Sequence, residues 1–238
     1  MLKEKSKRKL VLEMNIVTKD FLVINSIDKL MIDIEAYKTL RTNLLYTDNL
    51  KVIAITSTLE DEGKTVTSFN LAYNFAKMGK KVCLIDGDLR RSSLKNYLLI
   101  SDNSVGLSEV LTNQVTEYVR ATNIENFYIV LSGKRPPNPT DILSTESFKK
   151  IIEDLKKSFD YVIIDTPPMT VAMDAAIIGR ESDGVVLVIR NEFVKKKAVK
   201  RCQIEMERSG CRIIGVVLNR IKKSQMGYSY YYDYGKYY

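Results

Sequence analysis

Six short runs of β-branched and apolar residues, at 52–56, 82–85, 127–131, 161–164, 185–189 and 213–218, constrain the fold more than any other feature. Their hydrophobicity is continuous rather than alternating, the pattern of strands covered on both faces. Amphipathic stretches between them predict helices at about 35–46, 64–78, 145–157, 173–181 and 195–209. Parallel strands need crossover connections, and crossovers lay helices on the sheet's faces. The expected architecture is α/β, a mainly parallel sheet with helices on both faces. At 238 residues the chain holds one large domain with a full core.

The two ends differ in composition from the middle. Residues 1–27 read as a flexible basic leader, 28–222 as the domain, and 223–238 as a disordered tail. That tail carries Tyr228, Tyr230, Tyr231, Tyr232, Tyr234, Tyr237 and Tyr238. Phosphorylation would replace a neutral phenol with nearly two negative charges, so the cluster is a dense candidate switch. Lysine and arginine exceed aspartate and glutamate by 37 to 29, a net +8 that favours acidic surfaces, anionic lipid or polyphosphate without choosing among them. Cys83, Cys202 and Cys211 lack Cys-x-x-Cys spacing, which argues against a disulfide framework or a zinc site and for a reducing cytosol. The apolar runs fall far short of the roughly 20 residues that cross a bilayer, and no signal-peptide core follows the basic start. Membrane association is then expected through charge or a partner. The stretch 133–139 holds three prolines and reads as a braced surface loop.

Chemistry concentrates after the first of the six strands. Thr58, Asp61, Glu62, Gly63, Lys64, Thr65 and Val66 lie where a strand passes into a helix, so backbone amides at the helix start can surround a phosphate chain. Lys64 would neutralise outer phosphates, and the Thr65 hydroxyl stands where phosphate-binding loops reach magnesium. Thr58 replaces the first glycine of the Gly-x-x-x-x-Gly-Lys-Ser/Thr pattern. Two further strand ends carry Asp86 with Asp88, and Asp165. In open parallel sheets ligands sit beyond the carboxyl ends of strands, so these carboxylates can converge on the phosphate loop. Helix capping is the other reading of the three aspartates.

With these motifs in place, the chain resembles the bacterial tyrosine kinases, or BY-kinases, of the cytosolic CpsD/CapB type, which control capsule and exopolysaccharide synthesis. The family's Walker A matches the loop ending Gly63-Lys64-Thr65, Walker A′ matches residues 84–90, and Walker B matches residues 162–168. The tyrosine cluster completes the set, as do Gly106-Leu107-Ser108-Glu109, Pro136-Pro137-Asn138-Pro139 and Gly215-Val216-Val217-Leu218-Asn219. The resemblance implies a P-loop NTPase-type fold and ATP with Mg2+ as cofactors. It implies Asp86 as proton acceptor, Thr65, Asp88 and Asp165 around the metal, partly through water, and Asn219 at the adenine edge. It further implies trans phosphorylation of the tail in a ring-like homo-oligomer and a transmembrane polysaccharide co-polymerase-type activator. A tyrosine phosphatase as counterpart, no nucleic-acid partner, and a cytoplasmic, membrane-peripheral location complete the expectation.

Two positions depart from the family. Glu60 and Asp61 stand where it commonly has a proline-glycine pair, and Lys38 replaces the first arginine of the oligomer motif formed here by Glu35, Lys38 and Arg41. Lysine keeps the charge but loses planar two-point hydrogen bonding. Outside the family, Glu35 and Lys38 read as a pair on a solvated helix. Arg90 and Arg91 are candidates for steadying phosphate or for ordinary surface charge. A positioning ATPase of the MinD/ParA type is the rival within the lineage. It would carry a lysine where Leu59 sits and has no use for the tyrosines. A nucleotide-binding scaffold without turnover is the third reading.

Overall fold

The computed structural model describes residues 17–24, 34–100, 105–171 and 173–221. In chain order these form β1 (Val17–Leu22), α1 (Ile34–Leu45), β2 (Val52–Ser57), α2 (Lys64–Lys77), β3 (Val82–Asp86), α3 (Leu94–Tyr97), α4 (Leu107–Leu111) and β4 (Arg120–Thr122). There follow β5 (Phe127–Val130), α5 (Pro139–Leu143), α6 (Glu146–Ser158), β6 (Tyr161–Asp165), α7 (Asp174–Arg180), β7 (Gly184–Arg190), α8 (Lys196–Arg208) and β8 (Ile213–Asn219). All six strands expected from the apolar runs are present, within a residue at each end.

The strands make one sheet in the order β1-β4-β5-β3-β6-β2-β7-β8. Every pairing is parallel except β4 with β5. Successive side chains on a strand point to opposite faces. Val52 and Ala54 therefore enter one core with Cys83, Ile85, Val162 and Ile164, closed by Phe148, Leu155 and Met206 of α6 and α8. Ile53 and Ile55 enter the other with Leu84 and Ile163, closed by Leu44, Phe69, Phe75 and Leu94 of α1, α2 and α3. A strand apolar at every position is what two such cores require.

Local signals set the helix ends. Thr145 caps α6 by accepting from Phe148 N, with Glu146 in the first turn and Lys156 and Lys157 in the last, each matching the helix dipole. The Asp183 carboxylate ties three pieces together: it accepts from Lys51 N at 2.9 Å and Val52 N at 2.8 Å, and pairs with Lys156 Nζ. Glu109 does the same at the family-like Gly106 segment. It accepts from Gly106 N at 2.9 Å and Lys134 N at 3.0 Å, and so anchors the proline-rich loop that follows. Pro139 opens α5 at its first turn, where a missing amide costs nothing.

The leader differs from its expected description. Residues 17–22 form β1 and pair with β4, so part of the segment read as flexible belongs to the sheet. Lys19 and Asp20 break its apolar run, and β4 is only three residues long, so neither strand has a readable pattern. The tail tyrosines, 1–16 and 25–33 lie outside the described residues. Among the described residues, no helix is long and apolar enough to cross a membrane.

Phe69 sits at the centre of the second core, with ring contacts to Tyr73 at 6.0 Å, Tyr97 at 5.9 Å and Phe127 at 5.8 Å. We expect Phe69→Ala to lower unfolding free energy by about 3–5 kcal/mol in urea titration. Tyr46→Ala, at a side chain 85% exposed, should change it by less than about 0.5 kcal/mol.

Candidate active site

β2 ends at Ser57, and the chain bends through 58–63 before entering α2 at Lys64. Two left-handed residues make the bend, Asp61 at φ 60° and Gly63 at φ 97°. Gly63 is obligatory on space as well, since a Cβ there would lie 2.1 Å from Asn219 Nδ2. Asp61 occupies a conformation that glycine adopts freely and other residues adopt at some cost, which accounts for the family's glycine at this place.

Glu62 braces the loop from within. Its side chain is fully buried, and it accepts from Leu59 N at 2.7 Å and from Arg190 N, at the end of β7, at 3.1 Å. Its carbonyl accepts from Asn219 Nδ2 at 2.8 Å. The loop is thus pinned to β7 and β8, and this acidic side chain is held by backbone donors. Glu60 is on the outer surface and pairs with Arg91 at 2.8 Å. Thr58 is buried, with its hydroxyl beside the Cys202 thiol of α8.

Parallel pairing brings the aspartates to the same end of the sheet. Asp86 of β3 and Asp165 of β6 are direct register partners, and β6 also pairs with β2, which feeds the loop. Asp88 Oδ2 lies 3.8 Å from Lys64 Nζ, and its other oxygen accepts from Arg91 N at 2.9 Å and Arg90 N at 3.2 Å. Ser68 donates to Asp165 at 3.3 Å, and the Thr65 and Ser93 hydroxyls are 3.0 Å apart. Ser92 donates to Asp86. Lys64, Thr65, Asp86, Asp88 and Asp165 therefore form one constellation. Capping does not account for these aspartates, because none is the N-cap of the helix that follows it.

Burial dominates the electrostatics. Loss of water pushes the Asp86 carboxyl up to about 7, with the neighbouring Asp165 charge adding to the rise and the Ser92 bond opposing it. Burial raises Asp165 to about 6, against the pull of Lys64 and Thr65. The donors are all oxygen, the chemistry of a hard divalent cation. Among the described residues, no group of three acidic, histidine or cysteine side chains forms a preassembled metal cage.

Other expected residues are placed differently. Arg90 turns away from the loop and makes a two-point contact with the buried Asp174, at 2.7 and 3.2 Å, and with Thr140 at 2.7 Å. It fastens the strand-end loop to α5 and α7. Asn219 is engaged at the phosphate loop, and Val66 is half-buried in the first turn of α2. In α1, Glu35 and Lys38 pair at 2.6 Å on the solvated surface, whereas Arg41 donates to the Asn74 carbonyl of α2 at 3.2 Å. Sequence reasoning missed Ser92 and Ser93. Two hydroxyls directly after a carboxylate pair at a strand end were the available signal.

Residues 50–207 match the AAA domain family. Tyrosine-protein kinase CpsD of Streptococcus pneumoniae is 41% identical over 206 residues, 85% of this chain and 91% of the relative. Among solved structures, the chimerical protein CapA2B2 superposes with a TM-score of 0.77 at 28% identity, covering 91% of this chain and 99% of that one. The septum site-determining protein MinD of Pyrococcus horikoshii, complexed with Mg-ADP, gives 0.64 at 24% identity over 77% of this chain and 76% of its own, a likeness of fold alone. The domain is therefore of nucleotide-binding P-loop type, and the chain belongs to the bacterial tyrosine-protein kinases of the CpsD/CapB type.

Proposed function

We propose that the chain is an ATP-dependent protein tyrosine kinase that phosphorylates its own terminal tyrosines in trans and so regulates capsule or exopolysaccharide synthesis and export. The observation that carries this reading is the meeting of Lys64, Thr65, Asp86, Asp88 and Asp165 at the carboxyl ends of β2, β3 and β6. Amides from 62 to 66 at the start of α2 cradle the phosphates, and Lys64 neutralises the charge that develops on the transferred group. Magnesium, when bound, supplies further neutralisation, with Thr65, Asp88 and Asp165 as its protein-side holders.

Asp86 accepts the tyrosine proton. An ordinary aspartate near ~4 is badly mismatched to a phenol near ~10. Burial brings this carboxyl up to about 7, which narrows the gap from the acid's side. Ser92 and the Asp88 amide fix its two oxygens, so its orientation is set before substrate arrives. Asn219 donates one Nδ2 proton to the Glu62 carbonyl and keeps the other for an adenine acceptor.

The remaining assignments follow family membership. Glu35, Lys38 and Arg41 belong to the oligomer face of a ring-like assembly. A transmembrane co-polymerase-type activator holds the kinase at the inner membrane surface, and a tyrosine phosphatase opposes it. Nucleic acid has no place in this scheme.

Incubating the purified chain with ATP and magnesium should place phosphate on tyrosines within 228–238, read by mass spectrometry. Lys64→Met should slow transfer by about 10²–10³-fold. ATP hydrolysis with unmodified tyrosines would instead mark a switch ATPase and end the kinase reading.

The raised carboxyls also predict a pH dependence. Both Asp86 and Asp165 have folded-state pKa values above the unfolded ~3.9, so the stability they contribute is complete below that value. It is lost as pH rises through about 6 and about 7. Glu109 and Asp183 are held below their ordinary values and act only at lower pH. Without magnesium, urea unfolding should show a loss on the order of a few kcal/mol between pH 5 and pH 8. Asp86→Asn should flatten that slope.

A further inference from the structure

The net positive charge found in the sequence has a specific location. Between residues 190 and 201 six cations stand against one acid, Glu192. They run from Arg190 at the end of β7 through the β7–α8 connection to the outer face of α8, and Lys195, Lys196, Lys197 and Lys200 are all exposed. Arg201 is paired with Glu205, and Lys200 contacts Gln203. Lys195, Lys196 and Lys197 make no ion pair among the described residues. No acidic side chain stands in the helix's first turn to offset them. Arg190 lies over the half-exposed Phe193 ring at 4.4 Å, which adds a flat aromatic surface beside the lysines.

The chain's own end leaves the domain beside this patch. Asn191 N donates to the Asn219 carbonyl at 2.9 Å, so the root of residues 222–238 is tied four positions from Lys195. Tyr228 follows Asn219 by nine positions, a span of at most about 30 Å when extended, whereas the 13 residues of α8 are about 20 Å long. Every lysine of the patch is within that reach. A tether of this length holds its own terminus at an effective concentration in the millimolar range, so weak individual contacts suffice.

From the patch, the tether and the tyrosines together, we infer that the basic face of Arg190, Lys195, Lys196, Lys197 and Lys200 is a docking site for the phosphorylated tail of the same chain. This deepens the kinase reading and rests on it. Each phosphotyrosine brings about two negative charges and three strong acceptors, which match lysine donors, and its ring matches Phe193. The unmodified tail brings aromatic rings and, within 228–238, one acid and one lysine, so it has no such claim on the patch. Modified tails would then be withdrawn from the active site onto the domain that bears them, and unmodified ones left available as acceptors.

The test uses the full chain, dephosphorylated and free of nucleotide, titrated with a synthetic peptide of residues 226–238 carrying phosphate at Tyr230, Tyr231 and Tyr232. Binding is read by fluorescence anisotropy. The phosphopeptide should bind and the unmodified peptide should not, with affinity falling as salt rises. Combining Lys195→Gln, Lys196→Gln, Lys197→Gln and Lys200→Gln should weaken binding by about tenfold or more. Lys149→Gln, Lys150→Gln and Lys157→Gln on α6 should leave it unchanged. Equal affinity for the chain and its fourfold variant, or no binding to either, overturns the proposal. So does a fourfold variant that loses only its sedimentation with phosphatidylserine vesicles, which would assign the patch to lipid. Because phosphate is installed chemically, failure here leaves the kinase reading standing, and failure of autophosphorylation leaves this binding measurable.

Discussion

The charge imbalance beyond the ends of β2, β3 and β6 is the constraint around which this molecule is built. Three buried carboxylates face one lysine, and the nearest contact, Lys64 to Asp88, is 3.8 Å. Carboxylates of the same sign gathered out of water repel and lose hydration, and the chain answers by raising Asp86 and Asp165 rather than by adding cations. Such an arrangement is poor for stability and apt for a site completed by a divalent cation and a polyphosphate. The sheet tolerates it because each aspartate is the last residue of a strand, or two beyond it, with both cores packed behind.

A second tension lies in the phosphate loop, where Glu60, Asp61 and Glu62 put three acids next to a place meant for anions. The structure gives each a separate solution. Glu62 turns inward and becomes the brace between loop, β7 and β8. Glu60 is offset by Arg91, an exposed pair worth about 0–1 kcal/mol and therefore important for local charge rather than for stability. Asp61 takes the left-handed turn that a glycine would otherwise make. Only Asp61 is left in solvent without a cationic neighbour among the described ion pairs, so the loop's net repulsion of phosphate is smaller than its composition suggests.

How much of this was readable in advance follows from distance along the chain. The six central strands were legible because double-sided burial leaves continuous apolar runs, and Asp86, Asp88 and Asp165 because parallel strands bring their carboxyl ends together. β1 escaped notice because its stability comes from pairing with β4 about a hundred residues away, not from its own pattern. The inward turn of Glu62 was invisible for a related reason. Its partners are Leu59 nearby and the Arg190 amide more than a hundred residues on, and nothing in a Glu-Gly-Lys-Thr string encodes the second. Arg90 likewise reads as a free cation until Asp174 and Thr140 are placed beside it.

Those long-range bonds give the loop and the chain's exit a shared mechanical fate. Asn219 is the last residue of β8; its side chain holds Glu62, its carbonyl holds Asn191, and Arg220 N turns back onto its Oδ1. Arg220 itself is left-handed at φ 56°, which ends the strand there. Displacing the end of β8 therefore strains bonds to the β7–α8 connection and to the carbonyl preceding Gly63, the residue with no room for a side chain. β2, β7 and β8 thus converge on one hydrogen-bonded corner, where Glu62 and Asn219 hold the loop to the last strand.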